Sequence, residues 1–120
     1  MPATSSTPGR LRDFSVSLIE LIARPNEFEG RRISVSGTLA VGFELSALFL
    51  HHEDYERGNI ANAVWVTLPA SESAKPPTSV KGEFVNVIGT FTAKEHGHLG
   101  AFIGTIDAEA LIPYTQTPPN

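Results

Sequence analysis

The chain has 120 residues, no cysteine and a formal charge of -4 from nine basic and thirteen acidic side chains. That length fits one domain rather than two, and a chain of this size buries about two thirds of its unfolded surface, enough for a core without staples. Missing cysteines exclude disulfides, thiolate metal sites and cysteine nucleophiles, and the acidic balance opposes bulk attraction to phosphate backbones or anionic lipid.

Pro2, Ser5, Ser6, Pro8 and Gly9 give residues 1–12 the composition of a flexible leader, and Pro118 and Pro119 mark a similar tail over 115–120, so the expected domain is 13–114. No apolar run reaches signal-peptide length or the ~18 residues of a membrane helix. As written, the chain reads as soluble and cytoplasmic, although removal of an export signal would leave a similar leader. From Ser15 to Glu29, Val16, Leu18, Ile19, Leu21 and Ile22 recur at near-helical spacing, with Asp13 or Ser15 placed to cap the first turn. Arg24-Pro25 ends that helix, because the residue before proline is pushed out of the helical region. After Gly30 the period changes to two, and Ile33, Val35, Leu39 and Val41 outline a first strand.

Ala47–His52 and Ala63–Leu68 read as two short strands, and the polar segment from His52 to Asn59 between them has room for one helical turn. Pro69 to Gly82, with Pro76-Pro77 and no periodicity, reads as a long exposed loop. Glu83–Ala93 and Ala101–Ile112 are the longest strand candidates, joined by KEHGHLG. Five strands without a sequence repeat predict a mainly β fold, a five-stranded antiparallel barrel with an N-terminal helix. Gly37, Gly89 and Gly104 interrupt runs of β-formers and read as the bulges or bends that a small barrel needs to close.

The stretch SLIELIARPNEFEGRRISVSGTL, a helix and proline turn leading into a strand with V-S-G, resembles the entry to OB-fold-like domains of small bacterial proteins. With VNVIGTFTAKEHGHLGAFIGTI it is similar to a family of uncharacterised bacterial proteins sharing a histidine–glycine–histidine turn near the C-terminus. The resemblance covers Val16 to Ile112, and G-T-F-x-A-x-x-H-G-H-x-G from Gly89 to Gly100 is its most distinctive part. It implies an OB-like barrel and no settled activity. One departure stands out: the helix expected between the third and fourth strands is replaced by the proline-rich 69–82 segment.

All four histidines fall in two close pairs, His51 with His52 and His96 with His98. Brought together, they would make a metal or proton-transfer site with Glu53, Asp54 or Glu95, since neutral imidazole binds zinc, copper or nickel. Adjacent strand residues face opposite sides, which works against His51 and His52 sharing one ion. The alternative for His96 and His98 is a glycine-shaped turn that they fix by bonding backbone groups. In an OB-like barrel this turn joins the fourth and fifth strands, one of the loops such barrels use to grip ligands. Trp65 alternates away from Val64, Val66 and Leu68, so with Phe49 on the neighbouring strand it could form a stacking platform, or else pack beneath the N-terminal helix.

Arg31, Arg32, Lys75, Lys81 and Lys94 are few and dispersed beside Glu53, Asp54 and Glu56, which disfavours tight, salt-sensitive phosphate binding. No P-loop, dinucleotide fingerprint, G-x-S-x-G elbow or H-E-x-x-H pair is present. The expectation is therefore a non-enzymatic binding or interaction module for a protein or small ligand, contacting it through Phe49, Trp65, His96 and His98, with no cofactor and no membrane partner. The alternatives are a single-stranded nucleic-acid-binding OB domain, and a metal-binding protein or enzyme using His51, His52, His96 and His98. Homodimerisation through a strand edge is open to any incompletely closed barrel.

Overall fold

The N-terminal helix forms over Leu18–Ala23 (α1) in a computed structural model whose described residues are 14–42, 44–69, 80–97 and 100–114. The expected leader and tail, and most of the proline-rich 69–82 segment, lie outside the described residues. Ser17 caps α1: its side chain accepts the Glu20 N–H at 3.1 Å, which satisfies one of the orphan donors of the first turn. The cap is thus neither Ser15, which bridges to Ser34 in parallel fashion, nor Asp13, which is not among the described residues. Arg24 ends the helix as expected, and a 3-10 turn over Pro25–Phe28 follows it.

The strands are β1 (Arg32–Gly42), β2 (Leu45–Phe49), β3 (Ala63–Thr67), β4 (Val80–Thr92) and β5 (Thr105–Pro113), and a second helix, α2 (His52–Arg57), lies between β2 and β3. Their hydrogen-bonded order, β1-β2-β3-β5-β4 and back to β1, closes into a ring. Four of its pairings are antiparallel, but β3 runs parallel to β5, with Trp65 opposite Thr105. The sheet is therefore mixed, not antiparallel as expected. Consecutive strands cannot produce a parallel pair without a crossover, and here β4 lies between the two partners in sequence.

Three boundaries also move. His51 and His52 leave the second strand: His51 is the residue preceding α2 and His52 its first, because HEDYER carries two acids in the first turn and Arg57 in the last, which suits the helix dipole. The fourth strand starts at Val80 rather than Glu83. Leu39 pairs with Glu83 and Ala40 with Lys81, so Gly82, at φ 85°, is the extra residue of a bulge. The fifth begins at Thr105 rather than Ala101, and Glu109 is skipped where Ile88 pairs with Ala110 and Gly89 with Ala108. The bulges thus fall at Gly82 and at the Ile88–Gly89 step opposite Glu109, as expected for Gly89, which also serves close approach: a Cβ there would collide with the Asp107 carbonyl. Gly37 is likewise pressed on the Phe49 carbonyl, and Gly104 on the Phe91 ring.

Alternation sorts the side chains. Ile33, Val35, Val64, Val66, Val87 and Ile106 point into the ring and are almost fully buried, and Leu18 and Leu21 of α1 join the same core. A smaller cluster sits on the other side of the strands, where Ala40, Ala47, Phe49, Ala63 and Phe102 are buried with Tyr55 and Trp65 against them. Among the described residues, no helix is long and apolar enough to cross a membrane.

Candidate functional site

The anticipated platform of Phe49 and Trp65 is covered. Phe49 is 2% exposed and meets the Tyr55 ring edge-on at 5.9 Å, so it belongs to the outer cluster under α2 rather than to a contact surface. Alternation misses this because it tells inside from outside the ring, not which outer positions a helix covers. Trp65 does point away from the buried Val64 and Val66, as expected, but it is half-buried. The Phe102 ring packs edge-on at 5.4 Å, and the main chain of Gly97, at φ 72°, crosses the indole so closely that a Cβ would sit 2.8 Å from it. Only glycine fits both that conformation and that distance.

His96 holds this turn. Its Nδ1 lies 2.8 Å from the Phe102 carbonyl, and the Phe102 N–H returns to the His96 carbonyl at 2.9 Å. A carbonyl only accepts, so the ring proton sits on Nδ1. His98 lies outside the described residues. His51 and His52 have other partners: His51 Nδ1 is 3.6 Å from Asp54 Oδ2, and His52 Nε2 is 3.2 Å from Glu56 Oε2, with its ring beside Tyr55 and Gly82. Among the described residues no group of three or more His, Asp or Glu side chains is placed to hold a metal ion.

Of the basic residues, Arg31 lies over the Phe28 ring and Arg32 over the Phe14 ring, at 5.6 and 5.0 Å. Arg32 also forks onto Glu109 at 2.9 to 3.2 Å, reaching across β4 to the carboxylate that the β5 bulge presents. That contact holds the Glu109 carboxyl below its ordinary range and raises the Arg32 guanidinium. Glu29 is lowered as well, chiefly because it accepts the Ala93 N–H at 2.6 Å and then the Thr92 hydroxyl at 2.8 Å, with Lys94 adding attraction. These displaced groups tie one element to another.

A different face stands open, one that the sequence reading does not single out. On the outside of β1, β4 and β5, Ser34 and Ser36 lie beside Asn86, which pairs with Ile112, and Phe84 bonds across to Tyr114. Ser34 Oγ donates to Asn86 Oδ1 at 3.0 Å, Asn86 Nδ2 donates to Ser36 Oγ at 3.0 Å, and Ser36 Oγ meets Tyr114 Oη at 3.1 Å. The Phe84 and Tyr114 rings lie 5.0 Å apart, inclined by 48°, and are 51% and 57% exposed. Ile19 and Ile112 are exposed as well.

Between this face, α1 and the Leu50–His51 corner runs a groove of about 390 Å³, and His51 is its only titratable lining residue among those described. A second hollow, about 210 Å³, continues past Phe84 along Glu83, Pro113 and Tyr114. The one sequence signal for this face was the outward set Phe84, Asn86 and Ile88, alternating with buried Val85 and Val87. Tyr114 stood at the border of the expected tail and carried no signal.

Among solved structures, this chain is similar to a DUF3299 family protein from Pseudomonas aeruginosa PAO1, with a TM-score of 0.53 at 16% identity, covering 77% of this chain. The match spans 66% of that protein's length, just under two thirds. At this identity the likeness is one of fold. No family model and no curated protein matches the sequence.

Proposed function

We propose that this chain is a non-enzymatic binding module on an OB-like barrel, and that its contact surface is the outer face carrying Ser36, Phe84, Asn86 and Tyr114. The observation that carries this reading is the Phe84–Tyr114 ring pair, more than half exposed in a molecule whose other phenylalanines of described burial are largely covered. A contiguous exposed apolar patch beside a concave surface is the usual mark of an interaction site. The OB-like reading is supported by the strand order and by the parallel β3–β5 pair that closes the ring.

A binding rather than a catalytic role is supported by where the polar groups are engaged. The Ser34 and Ser36 hydroxyls bond Asn86 and Tyr114, not His51, and the groups with displaced pKa are structural ties outside the groove. The turn bearing His96 is engaged otherwise, with its Gly97 main chain laid across Trp65 and His96 bonded to the Phe102 carbonyl.

The test is an amide NMR titration of the labelled chain with a panel of ligands: an oligoproline, a neutral hexasaccharide and a short oligothymidine. Binding at this face predicts shifts at Ser36, Phe84, Asn86 and Tyr114 with at least one ligand, lost in Phe84→Ala. Shifts confined to the Trp65 and His96 region would overturn the choice of face. Stoichiometric zinc uptake perturbing His51, His52 and His96 would favour the metal alternative instead.

A further inference from the structure

We infer that the occupant of this face is a second copy of the chain, packed across a two-fold axis, an inference that rests on the binding-face reading above. Among the described residues, the large apolar side chains about half exposed or more are Ile19, Phe84, Ile112 and Tyr114. All four border one surface. Ile19 and Phe84 line the groove, Ile112 pairs with Asn86 of its lining, and the Tyr114 ring packs on that of Phe84. They form one patch rather than scattered singles, and single exposed apolar residues are ordinary whereas a patch calls for a partner.

A two-fold contact brings a surface against itself, so a charge near the axis meets its own kind, and a ridge needs a hollow on the same face. Both conditions are met. Each chain carries a charge of -4, yet the groove's described lining has no Lys, Arg, Asp or Glu, so two copies meet there without like charges in contact. A partner gathered by charge complementarity would meet a face bearing lysines or acids. The polar groups present are serine hydroxyls, the Asn86 amide and the Tyr114 hydroxyl, each of which both donates and accepts and so pairs with its own kind. For shape, the exposed Phe84–Tyr114 ring pair stands at the border of the groove of about 390 Å³, and a two-fold rotation brings the rings of each copy to the groove of the other, against Ile19 and Leu50. Two-fold dimers are also the commonest closed assembly of soluble chains.

Size sets the strength of the contact. By strand spacing and rise, three strands five residues deep with α1 alongside cover roughly 15 by 20 Å. That is nearer a small, transient interface than the ~800 Å² per partner of a standard one, so the expected Kd is about 10 μM to 1 mM.

The experiment is sedimentation equilibrium of the full 120-residue chain across that concentration range, with amide NMR spectra at the same concentrations. The expected result is an average mass that rises above the 12.9 kDa monomer, with concentration-dependent shifts at Ser36, Phe84, Asn86 and Tyr114. Phe84→Lys and Ile19→Lys each place a charge where the copies meet, at positions exposed in the single chain, and each is expected to weaken self-association at least about 10-fold. An amide spectrum otherwise unchanged shows that each variant folds. Undiminished association in both variants, or concentration-dependent shifts confined to other surfaces, would overturn the inference. A monomer at every concentration whose face shifts with an oligoproline, a hexasaccharide or an oligothymidine would overturn the second copy and leave the binding face standing. A monomer at every concentration whose face is silent to all three would overturn both.

Discussion

Glu29 shows how one exposed carboxylate can organise a junction. It accepts from Ala93 and Thr92, where β4 ends and the turn toward His96 begins, and the unprotonated form is the one that bonds. Its pKa in the folded chain lies below the ordinary glutamate value of 4.5, so its contribution to stability is present above that pH and is lost as pH falls through the lowered folded-state value. Glu29→Gln is therefore expected to melt below the wild type at pH 7, and the gap is expected to close under strong acid. Thermal melts of both proteins across that range check it, and a gap independent of pH would refute the assignment.

A second residue-scale prediction concerns Gly89. Its missing Cβ leaves room for the Asp107 carbonyl of the neighbouring strand, so Gly89→Ala is expected to cost about 1–3 kcal/mol in urea unfolding. Gly42→Ala, with nothing near its Cβ position, is expected to stay within about 0.5 kcal/mol.

At the scale of elements, α1 is part of the core rather than an appendage. Leu21 is fully buried, and its replacement by alanine is expected to cost about 2–5 kcal/mol. Ile19, 60% exposed on the same helix, is expected to tolerate alanine within about 0.5 kcal/mol. Chemical denaturation of the two variants separates the faces.

Element types and their order were legible in the sequence because each carries its own period: 3.6 around Leu18 and Leu21, two along Ile33 to Val41 and Val85 to Phe91. Partners across the sheet were not. Nothing local to Trp65 states that Thr105 will lie beside it in parallel, nor that Gly97 will be laid across its indole. Phe49 could be placed outside the ring by alternation, but its cover comes from Tyr55 of α2, a segment whose helical turn was foreseen and whose position was not. The open face was half legible. Phe84 and Asn86 share a side of β4 in any register, whereas Ser36 and Tyr114 join them only once three strands have met.

For the whole molecule, the net charge of -4 and a groove whose described lining has no Lys, Arg, Asp or Glu lead to one prediction about partners. Affinity for an uncharged ligand of this face is expected to change less than about 2-fold between low and moderate salt, because no phosphate-type counterion release accompanies it. Isothermal titration at two salt concentrations reads this directly. A steep loss with salt would mean that the bound surface lies elsewhere, among the dispersed cations.

The parallel pairing of Trp65–Thr67 with Thr105–Asp107 also governs when the protein can finish folding. On the ribosome, β1, β2 and β3 can zip together as they emerge, but β3 waits for a neighbour synthesised about forty residues later. At ~5–20 residues per second, that side of the nascent sheet stays open for seconds.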